Sequence, residues 1–292
     1  CMELHPEVTI VQDSPISYAK IRAMAESGQV TWDVVVVGSG FGHDSDGQWL
    51  EPIDYTIVDK THMLPGQAST YRIGSDVEAT VLTYRTDAFD GAVPQNWADF
   101  FDTERFPGRR AVMKDAGGGL LEVALLADGV PSDQLYPIDT ERALKKLDTI
   151  KDDLVWWTTG AQSEQLLRDG EAVMGILWNG RAYNLIKQGA PAAIQWNQNL
   201  AAGGYWVVPK GTPNKEAAMK LIAYMVTPEP QCRFTDHISY GPTNALGADC
   251  VNPDVKPYLP TTYLSERIPF QDSWWAANLA EVDPKFQEWL LQ

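Results

Sequence analysis

The segment Trp32–Val37 (WDVVVV) ends in four consecutive valines and runs straight into Gly38-Ser39-Gly40-Phe41-Gly42. A continuous β-branched run predicts a buried, parallel-type strand of an α/β sheet. Glycines at the end of such a strand let the backbone approach a ligand, and the carboxyl ends of strands are where open α/β sheets bind small molecules. Repetition of that strand–helix unit defines the fold class.

The unit recurs along the chain. Strands are predicted over Glu7–Gln12, Val77–Arg85, Arg110–Lys114, Val155–Trp157, Ala172–Trp178 and Gly204–Pro209. Amphipathic helices are predicted over Ser17–Ser27, Asn96–Phe106, Leu120–Asp128, Thr140–Ile150, Ser163–Asp169, Tyr183–Gly189 and Lys215–Val226. In the last of these Ala218, Leu221, Ile222 and Met225 form one apolar stripe. The tail Phe270–Leu290, with Trp274, Trp275, Phe286 and Trp289, is expected to pack as helices on a lobe. No internal repeat is present, and 292 residues of short βα units predict two modest lobes rather than one barrel.

Composition excludes several functions. Lys and Arg total 23 against 39 for Asp and Glu, a net charge of −16 that repels nucleic acid and weakly favours cationic ligands. The longest apolar runs, Val34–Val37 and Leu120–Ala127, fall far short of the roughly 20 residues a membrane helix needs. No secretory leader is visible, which leaves localisation open because a mature or trimmed chain would lack one; Cys1 suggests a lipid-modified terminus, against which Met2, Glu3 and Leu4 directly behind it weigh. Cys232 and Cys250 bracket a Gly/Pro/Asn-rich stretch and are either a loop-closing disulfide or two unrelated thiols. His5, His43, His62 and His237 are scattered without ligand spacing, so no metal is expected.

Enzyme signatures are weak. GSGFG is followed by His43-Asp44-Ser45-Asp46-Gly47, which supplies no helix for a phosphate cradle, and no G-x-S-x-G elbow occurs. Glycoside hydrolysis by two of the many carboxylates, with tryptophans stacking sugars, is the alternative from a different class.

Five stretches, in order along nearly the whole chain, carry a family likeness: YAKIRAMAESGQVTWDVVVVGS (Tyr18–Ser39), EATVLTYRTDAF (Glu78–Phe89), DGEAVMGILWNGRAYNLIKQGAP (Asp169–Pro191), VVPKGTPNKEAAMKLIAYMVTPE (Val207–Glu229) and YGPTN (Tyr240–Asn244). The sequence resembles the periplasmic polyamine-binding proteins of bacterial ABC transporters, within the family-1 solute-binding group. The resemblance implies a type II periplasmic-binding-protein fold: two α/β lobes joined by hinge strands around an interlobe cleft. One lobe is expected over 1–80 and 203–265 and the other over 81–202 and 266–292, with the family's first strand lying upstream of Cys1. It further implies a periplasmic, monomeric receptor with no catalytic activity and no cofactor, delivering a small amine or zwitterion to an inner-membrane ABC permease.

The resemblance also names site residues. Trp178, at the end of a predicted strand, matches a cleft tryptophan that stacks on the ligand, and an indole face suits an ammonium or its aliphatic neighbour. Arg181 replaces a smaller residue; in a cleft it would repel a diamine and grip a carboxylate, and otherwise it is a surface residue or makes a lobe–lobe salt bridge. Asp115 and Glu122 resemble the acidic pair that holds an amine, with Asp76 and Glu78 beside the hinge strand as further acids. Ser39 and Phe41 fall where the family places polar and aromatic cleft groups. One of the neighbours Trp156 and Trp157, taken as Trp157, should reach the cleft, and Tyr240 matches a cleft tyrosine.

One departure alters the expected ligand. Polyamine receptors carry a Trp and an Asp just ahead of the strand matching Trp206–Pro209, whereas here the chain reads Ala201-Ala202-Gly203-Gly204. Loss of that acid, together with Arg181, favours a short zwitterion such as an ω-amino acid, with a polyamine (putrescine or spermidine) as the alternative.

Overall fold

In the computed structural model, which describes residues 9–13, 16–268 and 270–292, Ser17 caps the first helix by accepting a hydrogen bond from the Lys20 N–H. The helices are α1 (Tyr18–Ser27), α2 (Trp97–Phe101), α3 (Leu120–Ala127), α4 (Thr140–Asp148), α5 (Gly160–Arg168), α6 (Asn179–Lys187), α7 (Lys215–Met225), α8 (Pro228–His237) and α9 (Asp272–Leu291). The strands are β1 (Val35–Gly38), β2 (Leu50–Glu51), β3 (Ile73–Arg85), β4 (Arg110–Met113), β5 (Leu154–Trp157), β6 (Met174–Trp178) and β7 (Ala192–Pro209). The chain divides into two compact units: unit 1 runs to Val77 and resumes over Ala202–Pro257, and unit 2 comprises Glu78–Ala201 and Tyr258–Gln292. Both β3 and β7 contain a crossing point, as does the Pro257–Tyr258 link.

In unit 1 the carboxyl half of β7 pairs antiparallel with β1 (Val35 opposite Val207, Gly38 opposite Gly204) and with β2. Ile21 of α1 packs with Val35, Val37, Phe41, Leu50, Tyr205 and Val207 on one side. Val208 packs with Ala218, Met219 and Ile222 of α7 in a second cluster. The WDVVVV run is therefore an antiparallel strand, not the parallel one expected. β-Branching reports burial, which the sheet meets with Val35 and Val37 buried and Val34 and Val36 half-buried, but it does not report direction.

In unit 2, β5, β4 and β6 run parallel, and β3 lies antiparallel on β6. One core gathers Trp97, Phe100, Leu121, Leu125, Leu147, Phe286 and Trp289 from α2, α3, α4 and α9. A second places Val155, Trp157, Leu177, Leu167 and Leu185 under α5 and α6.

Several boundaries moved. Thr9–Gln12 carry no regular structure, so the strand expected there is not formed over these residues; the rest of the Glu7–Gln12 expectation, Cys1 and His5 lie outside the described residues. Strand β7 begins at Ala192 and not Gly204; its first half mixes polar and apolar residues and holds Gln198 at φ 60°, which hides the alternation. The tail is one helix, α9, which continues through Pro284 and buries Trp275, Val282, Phe286 and Trp289 at helical spacing. Helix α8, with Pro228 in its first turn, was not anticipated. It carries Cys232, which is joined to Cys250 by a disulfide, so the loop-closing alternative holds. Among the described residues, no helix is long and apolar enough to cross a membrane.

Candidate functional site

Parallel β4, β5 and β6 point their carboxyl ends to one edge of unit 2. There the chain enters α3 through Lys114–Gly119, α5 through Thr158-Thr159, and α6 with no loop at all. The partial positive charge of helix N-termini makes such an edge favourable to an anion. Trp178 closes β6 and caps α6, so Asn179, Gly180 and Arg181 form the first helical turn, four residues ahead of the expected helix start. Trp178 is half-buried and meets Trp157 edge to face, with centroids 5.3 Å apart and planes at 84°. Trp157 itself is 2% exposed, and its indole N–H has no hydrogen-bond partner. Strand alternation sends Trp156 to the other face, against Phe286 and Trp289. Trp157 therefore backs Trp178 instead of meeting solvent.

Arg181 sits at this edge with its side chain 39% exposed and Nη1 3.1 Å from Glu164 Oε1. Glu164 is 7% exposed and is also reached by Arg168 at 3.6 Å, so the carboxylate is a buried brace. A Cβ on Gly160 would overlap the Arg181 guanidinium, and glycine at the first position of α5 is what admits it. Glu164 and Gly160 were not anticipated; the Glu164–Arg168 spacing is visible in sequence, but its link to Arg181 is tertiary. Glu164 lies in the same unit as Arg181 and engages one guanidinium nitrogen, so this ion pair is not a bridge between the lobes.

The two acids proposed near α3 part company. Asp115 is half-buried at the edge, where Oδ1 accepts the Gly117 N–H at 2.7 Å. Glu122 lies in the first turn of α3, 0% exposed, inside the aromatic core. Its Oε1 accepts from Tyr136 Oη at 2.7 Å and Trp275 Nε1 at 2.5 Å, while Oε2 has no partner. Burial pushes its pKa up to about 7, the two hydrogen bonds only partly opposing it. Helical periodicity turns position 122 inward, with Leu121 and Val123 also buried, so Glu122 is a core group and not a surface acid.

Unit 1 holds the remaining residues. Phe41 is 1% exposed and stacks on Tyr18 at 4.8 Å, so it belongs to the core and does not project from its loop. The loop is closed on itself: Asp46 Oδ2 accepts the N–H groups of Gly42 (2.9 Å) and His43 (3.1 Å). The Ser39 carbonyl accepts from Arg72 Nη1 at 2.5 Å and meets His43 Nε2 at 2.9 Å. Asp46 fills the position an anion would take, in keeping with the absence of a phosphate cradle. Asp76 is 7% exposed, its Oδ2 accepts from the Ser75 hydroxyl, and burial raises its pKa. Its Oδ2 lies 2.5 Å from where a Gly204 Cβ would stand, and among the described residues no cationic side chain pairs with it. A carboxylate on β3 thus covers Gly204 of β7. Glu78 and Tyr240 are half-buried. Among the described residues no cluster of His, Cys, Asp and Glu suits a metal ion.

These features define a small-molecule receptor of the type II periplasmic-binding-protein architecture. The chain belongs to the bacterial extracellular solute-binding protein family, whose profile matches residues 3–258. Members are periplasmic transport receptors, not enzymes, that serve a membrane permease. The chain is 36% identical over 280 residues to the gamma-aminobutyric acid-binding protein of Pseudomonas aeruginosa, covering 93% of this chain and 79% of that protein. It is similar to the solved structure of a GABA receptor (38% identity, TM-score 0.92, 99% of this chain and 90% of that one). It is also similar to an Agrobacterium tumefaciens R10 receptor solved with agropinic acid (35% identity, TM-score 0.82, 99% and 91%).

Proposed function

We propose that this chain is the receptor component of an ABC importer for a short ω-amino acid, with 4-aminobutyrate as the type solute. The observation that carries the reading is Arg181, three residues after the half-buried Trp178: its guanidinium is held by Glu164 in the first turn of α6, which starts at the carboxyl end of β6. A fork of N–H donors near helix N-termini suits a carboxylate and opposes a diamine. Asp115 supplies a half-exposed acid at the same edge for the amine. Two of the similar proteins are named for gamma-aminobutyric acid, in agreement with this chemistry.

Calorimetric titration of ligand-stripped protein tests the reading. We expect one-to-one binding of 4-aminobutyrate and no heat from putrescine or spermidine at matched concentration. Tight diamine binding without 4-aminobutyrate binding refutes it and shows that the acids set the specificity. Trp178→Ala is expected to weaken 4-aminobutyrate by about tenfold, from the loss of stacking area and cation–π attraction. A folded Trp178→Ala protein with unchanged affinity removes this side chain from the site.

A further inference from the structure

Asn179 is fully buried, and its two amide atoms go to two different crossing points. Oδ1 accepts the Ala79 N–H at 3.0 Å, two residues past the Val77–Glu78 boundary between units. Nδ2 donates to the carbonyl of Tyr258 at 3.2 Å, the residue with which the last crossing enters unit 2. On the other side of the first crossing, Val77 is held in unit 1 by paired backbone bonds with Gly241, at 2.8 and 2.7 Å. Glu78 lies between Val77 and Ala79 in sequence. Asn179 also directly follows Trp178 and stands two positions before Arg181 in the first turn of α6.

We infer that Asn179 is a positioning residue that fixes two of the crossing segments to unit 2, at the helical turn that carries Trp178 and Arg181. Only a side chain with an acceptor and a donor on one short planar group can hold an N–H and a C=O at once in a site that excludes water. Because the same helical turn carries Trp178 and Arg181, a solute that engages those side chains is tied to the crossing segments through one residue. The anchoring stands independently of the solute; its consequence for solute release rests on the function proposed above.

Amide hydrogen exchange of the ligand-free protein, read residue by residue, tests the anchoring. Asn179→Ala should speed exchange at Ala79 by about tenfold, the equivalent of one lost hydrogen bond, and also in the Thr262–Tyr263 turn. The core helix α3 should remain at the wild-type rate. Asn179→Asp keeps an acceptor for Ala79 and sets an oxygen against the Tyr258 carbonyl, so it should loosen the turn and spare Ala79. Unchanged exchange at Ala79 in the alanine variant overturns the proposal. So does an increase matched across α3, which marks general destabilisation. In a final arm, 4-aminobutyrate should leave Asn179→Ala about tenfold faster than wild type. A wild-type release rate in a loosened variant overturns the coupling, whereas no 4-aminobutyrate binding by the wild type refutes the solute assignment and leaves the exchange result to decide the anchoring.

Discussion

Arg181→Ala is expected to weaken 4-aminobutyrate binding by about 100-fold while leaving the protein folded. Truncating one partner of a desolvated charge pair costs about 2–5 kcal/mol, most of it expressed in dissociation. The fold should tolerate the change, because the side chain is 39% exposed and Glu164 keeps Arg168 at 3.6 Å. Arg181→Lys should recover only part of the affinity: a lysine restores the charge without the planar fork. Titration calorimetry of both variants, with thermal melts to report folding, gives the comparison. Wild-type affinity in a folded Arg181→Ala protein would mean that Glu164 holds the guanidinium away from the solute, and the carboxylate reading would fall.

Glu122→Gln is expected to stabilise the protein by about 3 kcal/mol above pH 7 and to remove most of its pH dependence between 4.5 and 7. Burial holds this carboxyl at about 7, against an ordinary 4.5. Between those values the folded state keeps a proton that the unfolded chain releases, so the stabilisation is full below pH 4.5 and is lost as pH rises through 7. A difference of that size corresponds to about 3 kcal/mol. Glutamine retains an Oε1 acceptor for Tyr136 and Trp275 without a charge to bury. Asp76, also raised by burial, contributes a residual slope of the same sign. Urea unfolding of wild type and variant from pH 4.5 to 8 measures the difference. A variant that keeps the full wild-type slope would show that Glu122 is not the titrating group.

The α/β class was legible because burial and periodicity are local properties of the chain. α4 and α7 carry apolar stripes that end where the helices end, and β3, β4, β5 and β6 announce themselves as apolar runs. Direction and length were less legible. The valines of β1 encode a buried strand but not an antiparallel one, and the polar first half of β7 conceals most of an 18-residue strand.

The candidate site divides in the same way. That Trp178 and Arg181 stand at a strand end was visible because they follow a buried strand directly. Glu122, Phe41 and Trp157 had the right residue types in the right segments, yet each is turned into a core by the phase of its own element.

The sequence by itself determined the α/β class, most of the strands and helices of unit 2, the acidic balance and the absence of phosphate-loop and nucleophile-elbow motifs. Only the tertiary structure decided which charge meets which. Arg181 rests on Glu164 over Gly160, Asp76 covers Gly204, Glu122 is locked by Tyr136 and Trp275, and Asn179 ties Ala79 to Tyr258. Those partners lie far apart along the chain, and local patterning carries no information about such distances. Their energies depend on burial, which exists only once the chain has folded.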